Sequence, residues 1–178
     1  MADEQQTAAP AASPIQAELA RIRSVPGDPV IAVEEDAAKG MYWVEVKART
    51  IPAVTAALRD DPKLDYKLLC DLFAYDRPWE EKRFSVVYNL YSITHNRRIF
   101  LRVRAAEGEA VPSLSGVFAA AEPAEREVYD LLGVTFSGHP NLTRIMMPDD
   151  WKGHPLRKDY PPVGRRPVIL YNDVKDVL

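Results

Sequence analysis

The chain is 178 residues long, 47% hydrophobic and 28% charged, with 15 prolines, 8 glycines, one cysteine and a formal net charge of −3. The lone Cys70 excludes a disulfide framework, and an iron–sulfur cluster held by this chain alone, since such clusters usually take four thiolates. The acidic balance argues against a general polyanion binder, and no apolar run approaches the roughly 18 residues that span a bilayer.

Residues 1–13 (MADEQQTAAPAAS) have no periodicity and read as a disordered lead. Asp3 and Glu4, with no basic residue nearby, fit neither a secretory signal nor a mitochondrial presequence, so the expected compartment is the cytosol. From Pro14 to Val25, the spacing of Ile15, Leu19 and Ile22 predicts a short amphipathic helix with Ser13 as N-cap, stopped by Pro26-Gly27-Asp28-Pro29. Val30–Val33 and Met41–Val46 read as strands, and Thr50 to Leu58 as a second helix. Lys67–Ala74, Phe84–Ile93 and Ile99–Arg104 carry the strongest strand signal. Within them Phe84, Val86, Tyr88 and Leu90 share one face, and Ser85 and Asn89 point away. Pro112–Ala121 and Pro123–Leu132 read as two further short helices, the second stopped at Gly133. The fold class expected is α+β: a two-layer domain over residues 14–133, with a mainly antiparallel mixed sheet packed on helices.

Beyond Gly133 the character changes. Residues 1–133 carry 16 basic and 21 acidic side chains, whereas 134–178 carry 7 and 5. The latter stretch has six prolines and no sustained period, yet Phe136, Leu142, Ile145, Met146, Met147, Trp151, Leu156 and Tyr160 punctuate it. A polar tail would lack such anchors. Residues 134–178 are therefore expected to form a long irregular, Pro-rich C-terminal arm that docks on a partner subunit; the competing reading is a tail folded back on its own domain. On the first reading, deleting 134–178 leaves a folded domain that no longer assembles.

Candidate chemistry is sparse. His139 and His154 each sit in a Gly-His-Pro tripeptide, Gly138-His139-Pro140 and Gly153-His154-Pro155, fifteen residues apart. That spacing suits two turns followed by extended residues better than a zinc site, which needs three or four ligands around one point. Cys70 lies in an apolar strand and reads as a small buried hydrophobe. No Gly-x-Ser-x-Gly elbow, dinucleotide fingerprint or P-loop is present. Arg144, Lys152, Arg157, Lys158, Arg165 and Arg166 alternate with Trp151 and Tyr160, which could track single-stranded nucleic acid; Asp149, Asp150 and Asp159 among them favour a protein partner. Glu125-Arg126-Glu127-x-x-Asp130 reads as a charged helix face, or as an ion-pair lock for the arginines that follow.

Glu125-Arg126-Glu127-Val128-Tyr129-Asp130-Leu131-Leu132-Gly133-Val134, then Gly138-His139-Pro140 and Leu142-Thr143-Arg144-Ile145, carry a family resemblance. Met147-Pro148-Asp149-Asp150-Trp151 and Gly153-His154-Pro155-Leu156-Arg157-Lys158-Asp159-Tyr160-Pro161 continue it. The pattern resembles the 30-kilodalton subunit of respiratory complex I, the proton-pumping NADH:quinone oxidoreductase. Pro123 is a departure, since family members often carry a tryptophan-containing stretch there. The resemblance implies a cofactor-free, non-catalytic subunit of the peripheral arm, on the cytoplasmic face of a bacterial membrane and bound to it only through the complex. FMN and iron–sulfur clusters would sit on partner subunits, and the C-terminal arm would wrap the large hydrogenase-like (49-kilodalton type) subunit. It also implies partner-binding or arm-shaping roles for Glu125, Arg126, Glu127, Asp130, Gly138, His139, Pro140, Arg144, Met146, Trp151, Gly153, His154, Pro155, Arg157, Lys158 and Asp159. Related subunits of membrane-bound hydrogenases and ferredoxin- or F420-linked complexes share the resemblance, so the electron donor stays open. A stand-alone nucleic-acid binder, and behind it a metal-dependent hydrolase, are the alternatives from other classes.

Overall fold

The computed structural model describes residues 15–36 and 41–161. The expected lead, the Ser13 cap, and Arg165 and Arg166 lie outside them. Five strands form one mixed sheet in the order β1-β2-β5-β4-β3, from β1 (Val30–Asp36), β2 (Met41–Val46), β3 (Leu68–Asp76), β4 (Phe84–Ser92) and β5 (Arg97–Ala105). All pairs are antiparallel except β2 with β5. That parallel pair needs a crossover, supplied by α2 (Ile51–Asp60) and the strands that follow it.

Alternation decides which side is core. Phe84, Val86, Tyr88 and Leu90 of β4 and Ile99, Leu101 and Val103 of β5 are buried together with α1 (Gln16–Arg23), α2 and α3 (Ala121–Leu132). Helices contribute Leu19, Ile22, Val54, Leu58, Val128 and Leu132 to this layer. The other sheet face carries a different chemistry. Trp43 stacks on Phe100 with ring centroids 4.4 Å apart. Arg102 pairs with Glu34 at 2.6 Å and Glu45 at 2.9 Å, and Arg104 with Glu45 at 3.1 Å and Glu80 at 2.7 Å. Ser85 and Val87 stand in register with Arg104 and Arg102, and both are buried although they face away from the helices.

Three expectations are corrected. No helix forms over 112–120. The Glu125 carboxylate takes the Leu114 amide and the Ser113 hydroxyl, both at 2.6 Å, and Ser113 Oγ accepts the Ser115 amide. Such side-chain bonds offer the backbone an alternative to a helical ladder. Cys70 is exposed, not buried, because the β3–β4 register is irregular between Leu69 and Asp71. Third, the globular part does not end at Gly133. Val134 and Phe136 belong to the core, and β7 (Phe136–Ser137) pairs in parallel with β6 (Val111–Pro112). A cut at 134 would therefore remove core side chains as well as the arm. Among the described residues, no helix is long and apolar enough to cross a membrane.

Candidate functional site

The signature residues converge on α3 and on the irregular segment 138–160, which crosses the domain as a strap. Pro123 is accommodated in the first turn of α3, where its missing N–H has no intrahelical partner to lose. Gly133 ends the helix in the left-handed region (φ 78°), and its N–H bonds the Tyr129 carbonyl at 2.8 Å.

Asp130 is the hub. Its side chain is fully buried, and one oxygen, Oδ2, accepts three successive backbone N–H groups: Ile145 at 3.0 Å, Met146 at 2.8 Å and Met147 at 2.8 Å. The Arg144 guanidinium binds the other oxygen. Burial alone would raise this carboxyl, but the Met147 amide, the guanidinium and the Met146 and Ile145 amides outweigh it. Asp130 therefore sits below the usual carboxylate range. Arg144 goes on to donate to the Gly153 carbonyl at 3.1 Å, tying the two ends of the strap's main loop together.

The two Gly-His-Pro tripeptides have matching roles. Gly138 and Gly153 both adopt positive φ (82° and 86°). His139 Nε2 lies 3.0 Å from the Glu122 carbonyl, and its Nδ1 accepts the Asn141 amide at 3.1 Å, so the ring is held with its proton on Nε2. His154 Nδ1 lies 2.9 Å from the Asp130 carbonyl and so donates through Nδ1. One tripeptide thus fastens to the first turn of α3 and the other to its last. The Leu156 amide adds a bond to the Leu131 carbonyl at 2.9 Å, so the strap caps carbonyls that a helix end leaves open. His154 also closes over Gly133: a Cβ there would lie 2.5 Å from the ring.

Arg126 does not pair with Asp130, four residues on. It meets Glu122 at 3.5 Å and donates to the Thr143 hydroxyl and to the carbonyls of Thr143 and Arg144. Glu125 faces inward, and burial raises its carboxyl against the opposing bonds from Ser113 and Leu114. Glu127 is exposed, as are Pro140, Met146 and Lys158, while Pro155 and Trp151 are half-buried and Trp151 stacks near Tyr160.

Further along, the strap meets the other side of the domain. Arg83 takes both oxygens of buried Asp76, at 2.8 and 2.6 Å, and reaches Asp159 at 3.2 Å and Glu107 at 3.1 Å. Arg157 bonds Glu107, and the Lys158 amide bonds Asp76 at 2.9 Å. The sequence does not single out Asp76, Arg83 or Glu107, since nothing in their spacing links positions 76, 83, 107 and 159. Two of the six basic residues read as a possible phosphate track are thus paired within the domain: Arg144 with Asp130 and Arg157 with Glu107. Both strap histidines bind backbone carbonyls, and among the described residues no three of His, Cys, Asp and Glu converge as a metal site.

Residues 44–166, which include most of the sheet and the strap, match the family described as respiratory-chain NADH dehydrogenase, 30 Kd subunit. The NADH-quinone oxidoreductase C subunit of Roseiflexus sp. is 44% identical over 155 residues, covering 86% of this chain and 88% of that protein. The protein of the same name in Mesorhizobium japonicum is 41% identical, covering 91% of this chain and 82% of its own. The Mycolicibacterium smegmatis protein is 49% identical over 127 residues, and there the chain spans only 53% of its relative's length. Among solved structures, a chain of the membrane-bound sulfane sulfur reductase, an archaeal respiratory membrane complex, superposes with TM-score 0.65 at 22% identity. That match covers 90% of this chain and 89% of the other, and shows a shared fold.

Proposed function

Since the chain belongs to the family of the 30-kilodalton subunit of respiratory-chain NADH dehydrogenase, we propose that it is a cofactor-free structural subunit of a proton-pumping NADH:quinone oxidoreductase. It organises neighbours that pass electrons from NADH through FMN and iron–sulfur clusters to quinone, and has no catalytic residues of its own. Its strap and the residues after it dock on the large hydrogenase-like subunit, on the cytoplasmic side of the membrane. The carrying observation is that the family match spans residues 44–166, from within β2 through the strap, so the domain and the clasped segment both belong to what the family shares.

A structural role also suits the chemistry of the site. Asp130 and Glu125 spend their oxygens on backbone amides, on the Arg144 guanidinium and on the Ser113 hydroxyl, and each histidine bonds a carbonyl of α3, so these groups hold the chain to itself. Two experiments test the reading. The tagged full-length chain, expressed in its host, should co-purify from membranes with flavin, iron and NADH:quinone activity. The same chain purified alone should show no visible absorbance and no stoichiometric iron or zinc. Bound flavin or metal on the isolated chain, or failure to co-purify, would refute it. A salt titration against single-stranded DNA addresses nucleic-acid binding, because phosphate contacts weaken steeply with ionic strength.

A further inference from the structure

We propose that the strap presents a preformed apolar knuckle, Ile145 and Met146 with Leu156 beside them, which inserts into an uncharged apolar groove of another subunit of the same complex. The proposal rests on the docking role given above and names the surface that carries it.

The geometry follows from Asp130. Successive N–H groups that converge on one anion curl the backbone into a concave nest around it. Here three amides, 145 to 147, meet on a single carboxylate oxygen. The side chains leave on the convex side, toward solvent. Ile145 is 44% exposed and Met146 57%, while the carboxylate that holds their backbone is wholly buried. Leu156, 56% exposed, is fixed in the same region, because its amide bonds the carbonyl next to Asp130. A backbone this strongly bonded has little further backbone entropy to lose when its apolar side chains bind, which favours affinity.

Charge selects the occupant. The two arginines that flank the knuckle residues in sequence are already used: Arg144 by Asp130 and the Gly153 carbonyl, Arg157 by Glu107. Exposed Lys152 stands close in sequence to exposed Asp149 and Asp150, so an anionic lipid surface or a nucleic acid would meet acids as well as bases here. What is offered is an apolar centre flanked by exposed polar residues such as Asp149 and Lys152, the anatomy of a protein interface. Trp151, which composition alone would nominate as the anchor, is half-buried beside Tyr160 and is not part of the knuckle.

Thioether oxidation gives a direct test. Dilute hydrogen peroxide converts exposed methionine to the sulfoxide, read by mass spectrometry. Met146 should oxidise at least about tenfold more slowly in the complex purified from membranes than in the free full-length chain; equal rates would overturn the proposal. Independently, the double variant Ile145→Ser, Met146→Gln should leave the melting temperature of the free chain unchanged. It should also lower the amount of subunit retained by the complex at least about tenfold, the effect of losing two anchors. If that variant is retained like the wild type while a chain cut after Pro161 is lost, the knuckle is wrong and docking runs through later residues. If both are retained, neither the knuckle nor those later residues carry docking. A wild-type chain that fails to co-purify removes the docking role, and the knuckle with it.

Discussion

Replacing Asp130 by alanine tests the hub most sharply. The substitution removes the acceptor of three amides and the counter-charge of Arg144 in one step. Hydrogen bonds to a charged group contribute roughly 1.5–3 kcal/mol each, and stranding one partner of a buried ion pair costs about 3–5 kcal/mol. These terms cannot simply be added, because the strap can lift off and give its amides and guanidinium to water. The loss is therefore capped by the free energy that docks the strap. Taking about 3 kcal/mol for that cap, amide exchange at 145–147 should accelerate by roughly 100-fold, since about 1.4 kcal/mol is a factor of ten. The rest of the fold should suffer less. Its penalty is the lost capping of α3, about 1 kcal/mol, or ~2–4 °C in Tm for a chain of this size. Hydrogen exchange with residue-level readout, beside a thermal melt, separates the two. Unchanged protection at 145–147 with a large fall in Tm would refute the reasoning, since it would mean that Asp130 supports the core and not the strap.

Gly133→Ala combines a positive φ with a Cβ placed 2.5 Å from the His154 ring. It should cost about 2 kcal/mol, ~4–8 °C in Tm, and an NMR shift of the His154 ring should report its displacement. Arg83→Met strands the fully buried Asp76 carboxylate and should lower stability by about 3–5 kcal/mol. Asp159→Asn touches only an exposed partner of the same guanidinium and should cost at most about 1 kcal/mol, while still speeding tryptic cleavage at Arg157 and Lys158. Acid should release the strap. Asp130 and Asp76 are both held below the ordinary carboxylate value, so their contribution is complete above roughly pH 4 and is lost as pH falls through the lowered values. Glu125 has the opposite sign: burial raises it, so its contribution is present at low pH and declines as pH rises through the raised value. Melting curves of Asp130→Asn and Glu125→Gln against pH should flatten the acid and the higher-pH limb respectively.

Much of the fold was legible, because alternation and helix punctuation are local. The apolar face of Phe84–Leu90 and the stop at Gly133 both follow from neighbours in sequence. The failures share a cause, which is partners distant in sequence. Pro112–Ala121 has helical composition, yet Glu125 captures Ser113 and Leu114 from eleven and twelve residues away. The ion-pair lock read from the Glu125–Asp130 cluster does form, between Asp130 and Arg144, but the three strap amides that share this carboxylate lie fifteen to seventeen residues away and no local pattern foretells them. The Arg83 cluster draws on positions up to 83 residues apart, counting from Asp76 to Asp159, and no local pattern announces it.

The paired Gly-His-Pro tripeptides bear on what a signature of this kind records. Read as a string, the run from Glu125 to Pro161 looks like a roll of contacts awaiting another protein. In space, Asp130, Gly133, His139, Arg144, Gly153 and His154 mostly touch one another and the two ends of α3. Fixing an irregular segment against its own helix requires particular residues at particular positions: glycines where φ is positive, a ring nitrogen at a carbonyl, an anion inside a nest of amides. An apolar contact with a groove is less exacting, since side chains of similar volume can replace one another at small cost. The specific residues of the signature therefore belong to the clasp, and the surface it displays can be built from less specific ones. On this argument Ile145→Val should assemble normally, whereas Arg144→Lys, a change that keeps the charge but loses the fork reaching both Asp130 and Gly153, should loosen the strap.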